Sequence, residues 1–171
     1  RSPVFVEANS MYRPDGPVES RPVGEVEFVQ GLAAASASGI YGPSRAAAAI
    51  IGHADLKLTG KVEPVLEALQ AASPNRFRGI RYNVTWSPDP ALANREAEGI
   101  LTNSEFREGA KVLARMGLSM DTMLSFPQLP ELAELATAVP ELTIVLNHIG
   151  GGNRVGIYAN RDGDVVPAWR S

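Results

Sequence analysis

The chain has 171 residues, of which 44% are hydrophobic and 20% are charged, and its formal net charge is −3. These values are typical of a globular protein and exclude an intrinsically disordered chain. The slight acidic excess gives no basic surface for nucleic acid or an anionic membrane. We therefore expect one domain, residues 1–171, whose partner is a small molecule.

The cellular setting is indicated by three further features of the sequence. It contains no cysteine, which excludes disulfides and thiolate metal sites and suits a reducing cytosol. Its apolar runs are shorter than the roughly 20 residues of a membrane span. The chain starts with Arg1-Ser2-Pro3 in place of Met, and because the strand-like run that follows is too short for the apolar region of a signal peptide, we expect none in it. We expect a cytoplasmic protein, of which this chain is a piece.

Five short apolar runs predict β-strands, at residues 4–6, 49–51, 77–80, 118–120 and 142–146. The last run, which ends in Ile144-Val145-Leu146, is continuous and does not alternate with polar residues. This pattern is typical of a parallel strand that is buried on both faces.

Helical periodicity fills the intervals between these strands. The apolar positions of three predicted helical faces are Val62, Val65, Leu66 and Leu69, then Phe106, Ala110, Leu113 and Ala114, then Leu129, Leu132, Leu135 and Ala136. Either Asn103 or Ser104 caps the second of these helices, and the third ends before Pro140. A further helix is predicted at residues 25–38.

Alternating strands and helices predict βαβ units and a parallel sheet, either open and doubly wound or closed as a barrel. The first strand is followed by Glu7-Ala8-Asn9-Ser10, where a dinucleotide-binding sheet has a glycine-rich loop. We therefore expect an α/β fold of the parallel (β/α)8 TIM-barrel type, represented by about five βα units.

Every predicted strand runs into polar or ionisable residues at its carboxyl end. In chain order these are Glu7; His53 and Asp55; Arg81 and Asn83; Asp121; and Asn147 with His148. Active sites of TIM barrels are built at this end of the strands. The pattern predicts an active site there, whose pocket Tyr12, Asn9 and Ser10 help to line.

His148 precedes the glycines Gly150, Gly151 and Gly152, which allow backbone to approach a ligand closely. An imidazole in this place either binds a divalent metal or polarises a substrate carbonyl. The structural alternative is a histidine that is hydrogen-bonded at a strand end.

His53 has two interpretations. It either contacts substrate or pairs with Asp55, since residues two apart in an extended strand face the same side. Alternatively, Asp55 only caps a turn that follows the strand.

Arg81 offers a forked donor that suits a carboxylate or a lactone oxygen. The alternative is a salt bridge to Glu7 or Asp121. Arg78, three positions earlier, is expected on the opposite face. Glu7 and Asp121 are each either a general base, a ligand or a structural acceptor for Arg81.

The long loop at residues 86–102 either shapes substrate entry or is a solvated excursion.

Five segments in register resemble the amidohydrolase-2 family, over residues 4–170. They are Val4-Phe5-Val6-Glu7, Gly52-His53-Ala54-Asp55, Phe77-Arg78-Gly79-Ile80-Arg81, Phe126-Pro127-Gln128-Leu129-Pro130-Glu131-Leu132 and Leu146-Asn147-His148-Ile149-Gly150-Gly151. The similarity is greatest to the branch of TIM-barrel hydrolases that includes sugar lactonases and pyrone dicarboxylate lactonases.

The resemblance implies hydrolysis of a lactone or a related carbonyl compound by an activated water. It implies either a divalent metal, with zinc the first candidate, or catalysis without a metal. A bound metal lowers the pKa of its water towards about 7. By resemblance, His148 matches the histidine that ends the sixth strand of the barrel. Arg81 matches an arginine on the fourth strand that holds the substrate.

Two elements of the family have no counterpart in the sequence. They are a His-x-His pair before Val4 and an aspartate well beyond His148. Because a full barrel needs about 250 residues, we expect the remaining units, or a second copy in a homo-oligomer, to close this one. Two other functions stay open: a degenerate barrel that binds a small acid without turnover, and a non-oxidative decarboxylase.

Overall fold

The computed structural model of the chain describes residues 2–89, 95–151 and 155–170. Its strands and longer helices are, in order, β1 Phe5–Val6, α1 Val23–Ala37, β2 Ile50–Gly52, α2 Glu63–Ala72, β3 Phe77–Asn83, α3 Ser104–Arg115, β4 Ser119–Met123, α4 Leu129–Ala138, β5 Ile144–Leu146 and α5 Asp162–Arg170. Within the described residues, no helix is both long and apolar enough to cross a membrane. The predicted alternation of strands and helices is confirmed.

The five strands form one parallel sheet in the order β1-β2-β3-β4-β5. Each strand pairs with its successor in sequence, from Phe5 opposite Ile50 to Thr122 opposite Leu146. A doubly wound sheet reverses its strand order at a switch point, whereas a barrel adds each strand on the same side of the last. The sequential order therefore confirms the predicted barrel-type α/β fold.

Strands β3 and β4 extend further than the apolar runs predicted, to Asn83 and Met123. Arg81 and Asp121 consequently lie inside strands and are direct neighbours in the register. The prediction ended these strands too early because charged residues are rare inside parallel strands. Here the two neighbouring residues carry opposite charges, which favours the pairing.

The prediction that the last strand is buried on both faces is wrong for the described residues. Val145 is 42% exposed, and its neighbours in β5 are half-buried. The physical reason is that β5 pairs only with β4 and forms an edge of the described sheet.

The predicted helices are confirmed, with ends set by local hydrogen bonds and prolines. The Asn103 side chain accepts a hydrogen bond from the Phe106 backbone N–H at 3.0 Å, so Asn103, and not Ser104, caps α3. Helix α4 ends at Ala138, two residues before Pro140. Helix α1 begins at Val23, two residues earlier than predicted.

Helix α3 packs directly on the 3-10 segment Leu56–Val62, which follows β2. Gly109 permits this approach, because a Cβ at this position would lie 2.1 Å from the Leu56 carbonyl oxygen. Phe106 and Leu113 on the same helix are fully buried. This contact fixes the segment that carries the residues following β2.

Replacing Gly109 by alanine is expected to destabilise the protein by about 1–3 kcal/mol, because backbone has to move to accept the methyl group. The matched control is Gly31→Ala in α1, where an added Cβ would meet no atom within 4 Å. We expect this control to be neutral or to stabilise by up to about 1 kcal/mol. Urea unfolding measures both, and equal effects of the two substitutions would contradict the packing argument.

Candidate functional site

A cleft of about 200 Å³ opens at the carboxyl ends of β1, β2 and β3. Its lining residues are Glu7, Asn9, His53, Lys57, Tyr82, Asn83, Glu96, Ala97 and Ile100. The structure thus brings the predicted residues Glu7, His53 and Asn83 together at the end of the sheet where barrel enzymes bind their substrates. Arg81, Asp121 and His148 are outside this lining. Tyr12 lines a neighbouring cavity of about 490 Å³ with His53 and Asp55.

Glu7 and Arg81 form a largely buried ion pair across the sheet. The Arg81 Nε donates to Glu7 Oε1 at 3.0 Å, and Nη2 donates to the Glu7 backbone carbonyl. Arg81 reaches over β2, as expected in a barrel, where alternate strands contribute side chains to one layer. The structure therefore shows the salt bridge from Arg81 to Glu7, which was the structural alternative to substrate binding by Arg81. Its Nη1 has no partner among the described residues, so a substrate role for Arg81 stays a prediction.

The second carboxylate oxygen of Glu7, Oε2, is buried and has no hydrogen-bond partner among the described residues. A buried carboxylate oxygen without a donor is costly, so such an atom in a cleft is a candidate contact for a hydroxyl group or water. One oxygen of Glu7 thus fixes Arg81, and the other is an acceptor left unsatisfied among the described residues.

The pairing of His53 with Asp55, one of the interpretations left open by the sequence, is not formed. Asp55 Oδ1 accepts hydrogen bonds from the Tyr82 hydroxyl and the Lys57 backbone N–H, each at 3.0 Å. Asp55 therefore caps the 3-10 segment that follows it, because the first N–H groups of a helical turn need acceptors. The His53 ring instead places Nδ1 3.1 Å from the Arg81 carbonyl oxygen.

Asp121 lies one strand further along, where Asn147 Nδ2 donates to its Oδ2 at 3.3 Å. Burial raises the pKa of the Asp121 carboxyl above its ordinary value of 3.8, although the Asn147 hydrogen bond and the charge of Arg81 act in the opposite direction. The Asn147 Oδ1 is buried without a partner among the described residues. The side-chain amide of Asn147 thus holds the Asp121 carboxyl through a hydrogen bond, and the charge of Arg81 acts to lower its pKa.

The raised pKa of Asp121 gives a pH-dependent prediction. A folded protein in which this pKa is raised binds the proton more readily than the unfolded chain, so the contribution of Asp121 to stability falls as pH rises through the window above 3.8. The amide introduced by Asp121→Asn does not titrate. We expect the variant to gain stability relative to wild type in urea unfolding as pH rises from about 4. If the difference in unfolding free energy between Asp121→Asn and wild type stays constant or shrinks as pH rises, the raised pKa of Asp121 is contradicted.

Gln128 anchors the loop that forms one wall of the cleft, and it was missed from the sequence. Its Oε1 accepts hydrogen bonds from the backbone N–H groups of Trp86 and Ser125, and its Nε2 donates to the Val84 carbonyl at 2.7 Å. The signal was present, because Ser125-Phe126-Pro127-Gln128 has the spacing of a capping box.

The loop at residues 86–102 contributes Glu96, Ala97 and Ile100 to the cleft, which favours a role at the substrate entry over the alternative of a solvated excursion. These residues belong to the short 3-10 turns Arg95–Ala97 and Ile100–Thr102. Residues 90–94 of the same loop lie outside the described residues.

The family model for amidohydrolases, Amidohydro_2, matches residues 1–171. The chain belongs to the amidohydrolase family. Over 131 residues it is 34% identical to the uncharacterized protein y4mH of Sinorhizobium fredii, a match that covers 77% of the chain and 40% of that relative. The chain therefore spans less than half the length of this curated relative.

Two crystal structures of an amidohydrolase from Burkholderia multivorans share the fold. The one with bound zinc superposes with a TM-score of 0.61 at 23% identity and covers 85% of the chain and 43% of the neighbour. The one with bound HEPES gives a TM-score of 0.56 at 16% identity, covering 99% and 62%. These similarities support a partial TIM-barrel amidohydrolase fold.

His148 follows β5 as predicted, but the structure does not bring it to the cleft. Its side chain is exposed, and its backbone is left-handed, with φ of 51°. Gly152, one of the glycines predicted to let backbone approach a ligand closely, lies outside the described residues. Among the described residues, no three histidine or acidic side chains lie close enough to hold a metal ion. These residues therefore do not form a metal site by themselves, and a metal role for His148 stays a prediction.

Glu25 in α1 is the second residue that sequence reasoning missed. It is fully buried, and its Oε1 accepts hydrogen bonds from Ala8 N–H, Ser10 N–H and the Ser10 hydroxyl at 2.9–3.0 Å. It shapes the loop that leads from Glu7 to Tyr12 in this amidohydrolase. Burial, together with the charges of Glu25 and Glu7, raises the pKa of the Tyr12 hydroxyl. The sequence signal was an acidic residue in the first turn of a helix.

Proposed function

We propose that this amidohydrolase hydrolyses a lactone or a related carbonyl compound with a water that is activated in the cleft at the ends of β1, β2 and β3. The observation that carries the proposal is the cleft itself. It combines the unpartnered Glu7 Oε2 with the imidazole of His53 at the end of the sheet where barrel enzymes act. An acceptor for a proton and a pocket for a carbonyl compound are the minimum that such a hydrolysis needs.

The side chains around the cleft suggest a role for each predicted residue. Glu7 accepts a hydrogen bond from substrate or water through Oε2. Asn83 accepts from Thr85 N–H through Oδ1, which leaves its amide N–H groups for a substrate oxygen. Arg81 Nη1 is a further donor, and His53 lines the same space. The Tyr12 hydroxyl donates to Asn9 Oδ1 at 3.1 Å, so it is left to accept a hydrogen bond from substrate. Donors placed at a developing oxyanion stabilise the transition state of acyl transfer.

Asp121 and His148 are proposed catalytic groups on the β4 and β5 side of the site. The bound zinc of the structural neighbour makes zinc the first metal to assay, with His148 as this chain's proposed ligand. The other ligands would have to come from outside the described residues, so we assign no step to a metal. Elemental analysis of the purified protein measures metal content directly, with His148→Ala as the comparison.

Replacing His148 by alanine is expected to lower turnover by at least about 10²-fold, which is the usual contribution of a proton-transfer or polarising group. Its exposure means that stability should change by less than about 0.5 kcal/mol. Steady-state kinetics and urea unfolding on the same samples check both expectations. Turnover equal to that of wild type would remove His148 from the site.

Proton release distinguishes the proposed hydrolysis from the two other functions. Opening a lactone yields an acid and releases a proton at neutral pH, whereas decarboxylation consumes one and releases carbon dioxide. We expect proton release in a pH-stat when the protein is given sugar lactones, and none with aromatic acids. Carbon dioxide from aromatic acids would favour the decarboxylase. Calorimetric binding of small acids without turnover would favour the non-catalytic binder.

We further propose that the protein acts in the cytoplasm on a small carboxylate or lactone, and that its single domain, residues 1–171, is either monomeric or part of a homo-oligomer. Analytical ultracentrifugation of the natural protein distinguishes a monomer from a homo-oligomer.

A further inference from the structure

The sequence contains two histidines, His53 and His148. His53 is half-buried and directly follows β2. It lines both the cleft and the neighbouring cavity that contains Tyr12 and Asp55. His53 therefore borders two spaces that a ligand or water can enter.

The hydrogen bond of His53 decides which ring nitrogen carries the proton. Nδ1 lies 3.1 Å from the Arg81 carbonyl oxygen, and a carbonyl oxygen can only accept. Nδ1 must therefore be the protonated nitrogen of the neutral ring. Nε2 then carries the free lone pair of the ring, and it has no hydrogen-bond partner among the described residues.

The ring is also held in its orientation by Tyr82. The centroids of the two rings are 5.6 Å apart at an interplanar angle of 39°. Tyr82 is in turn fixed by its hydrogen bond to Asp55 at 3.0 Å and by an edge contact with Phe106 at 5.1 Å. A base oriented by groups that are themselves fixed is a common arrangement in catalytic sites.

We propose that His53 is the general base of the cleft, acting through Nε2. This inference deepens the proposed function and rests on it for the reaction, although the tautomer does not depend on it. The water oxygen bonds to the carbonyl carbon while its proton passes to Nε2. The ester C–O bond then breaks, and the leaving alkoxide takes the proton back from Nε2. Arg81 serves as a positioning residue through its backbone carbonyl.

The charged and titratable groups around His53 determine how its activity varies with pH. Glu7, Lys57, Tyr82 and Glu96 share the cleft with it. Tyr12, Glu19, Arg21 and Asp55 share the neighbouring cavity. Arg81 offsets the charge of Glu7 through the ion pair at 3.0 Å. A base role requires that kcat/KM rises with pH through the range in which imidazole loses its proton.

The tautomer is measured directly by long-range ¹H–¹⁵N correlation NMR of the protein at alkaline pH, where imidazoles are neutral. His148→Gln and His53→Gln serve to assign the two ring systems. We expect His53 to be the Nδ1–H tautomer in wild type and in Asp55→Asn, because Asp55 contacts Tyr82 and not His53. An Nε2–H tautomer in wild type, or a tautomer that changes in Asp55→Asn, would overturn the proposal.

The base role is tested with p-nitrophenyl acetate, an activated ester. We expect wild type to hydrolyse it faster than buffer does, and His53→Gln to be slower by about 10²-fold with loss of the rise in rate with pH. Added imidazole should accelerate His53→Ala, whose missing ring leaves space, more than His53→Gln, in which glutamine fills that space. A wild-type rate equal to buffer, or an unchanged rate in His53→Gln, would overturn the inference. Inactivity towards sugar lactones with this ester activity retained would contradict only the proposed function.

Discussion

Replacing Arg81 by methionine is expected to destabilise the protein by about 3–5 kcal/mol, because it leaves the buried carboxylate of Glu7 without its cation. Glu7 is 5% exposed, and its Oε1 is bonded to the Arg81 Nε at 3.0 Å. The substitution also removes the donor to the Glu7 backbone carbonyl. The free energy of unfolding in urea at neutral pH measures the effect.

The matched control for Arg81→Met is Arg78→Met on the same strand. Arg78 is exposed, and its guanidinium donates only to the backbone carbonyls of Phe77 and Asn75. Its replacement should cost less than about 1.5 kcal/mol. Adding Glu7→Gln to Arg81→Met should recover part of the loss, since the uncompensated charge is removed. Equal costs for Arg81→Met and Arg78→Met would contradict a buried ion pair.

Replacing Glu25 by alanine is expected to destabilise the protein by about 3 kcal/mol, because three donors in the loop after β1 lose their acceptor at once. Those donors are Ala8 N–H, Ser10 N–H and the Ser10 hydroxyl, each within 3.0 Å of Oε1. The loop also carries Asn9 and Tyr12, so we expect ligand affinity in the cleft to fall together with stability.

Glu27, two residues along the same helix, provides the control for Glu25. It is exposed and pairs with Arg13 at the surface. Exposed ion pairs contribute about 0–1 kcal/mol, so Glu27→Ala should change the urea midpoint little. If Glu25→Ala is no more costly than Glu27→Ala, the buried carboxylate does not organise the loop.

The architecture was predictable because it depends on repeating patterns. Apolar runs separated by helical periodicity predicted the five strands of the described sheet and the helices between them. Capping preferences placed the start of α3 at Asn103 or Ser104, and the structure selects Asn103. The carboxyl ends of β3 and β4 were predicted too early because an apolar run ends where a charged residue begins. Only the register shows that Arg81 lies beside Asp121.

The sequence could not predict which side chains of the site bond to each other, because these contacts depend on distances between strands. His53 and Asp55 are two residues apart, yet His53 contacts a carbonyl of β3, and Asp55 contacts Tyr82 and Lys57. Similarly, Arg81 had two acidic candidates, and the structure bonds it to Glu7. The exposure of Val145 followed from its place at a sheet edge, which composition cannot indicate.

The buried polar side chains that hold loops in place were also not identified from the sequence. Glu25 and Gln128 are each almost completely buried, and each fixes a loop that supplies residues to the cleft. A charged or amide residue in a helical segment is usually assigned to the surface. Their capping-type spacing, rather than their polarity, was the usable signal.

A crystal structure of the protein with the hydroxy acid product of a sugar lactone tests the central claim most directly. We expect the product in the cleft lined by Glu7, His53 and Asn83, with one hydroxyl group donating to Glu7 Oε2 and the hydroxyl group formed on ring opening donating to His53 Nε2. Product bound only on the Asp121 and His148 side, with the cleft filled by solvent, would contradict the account.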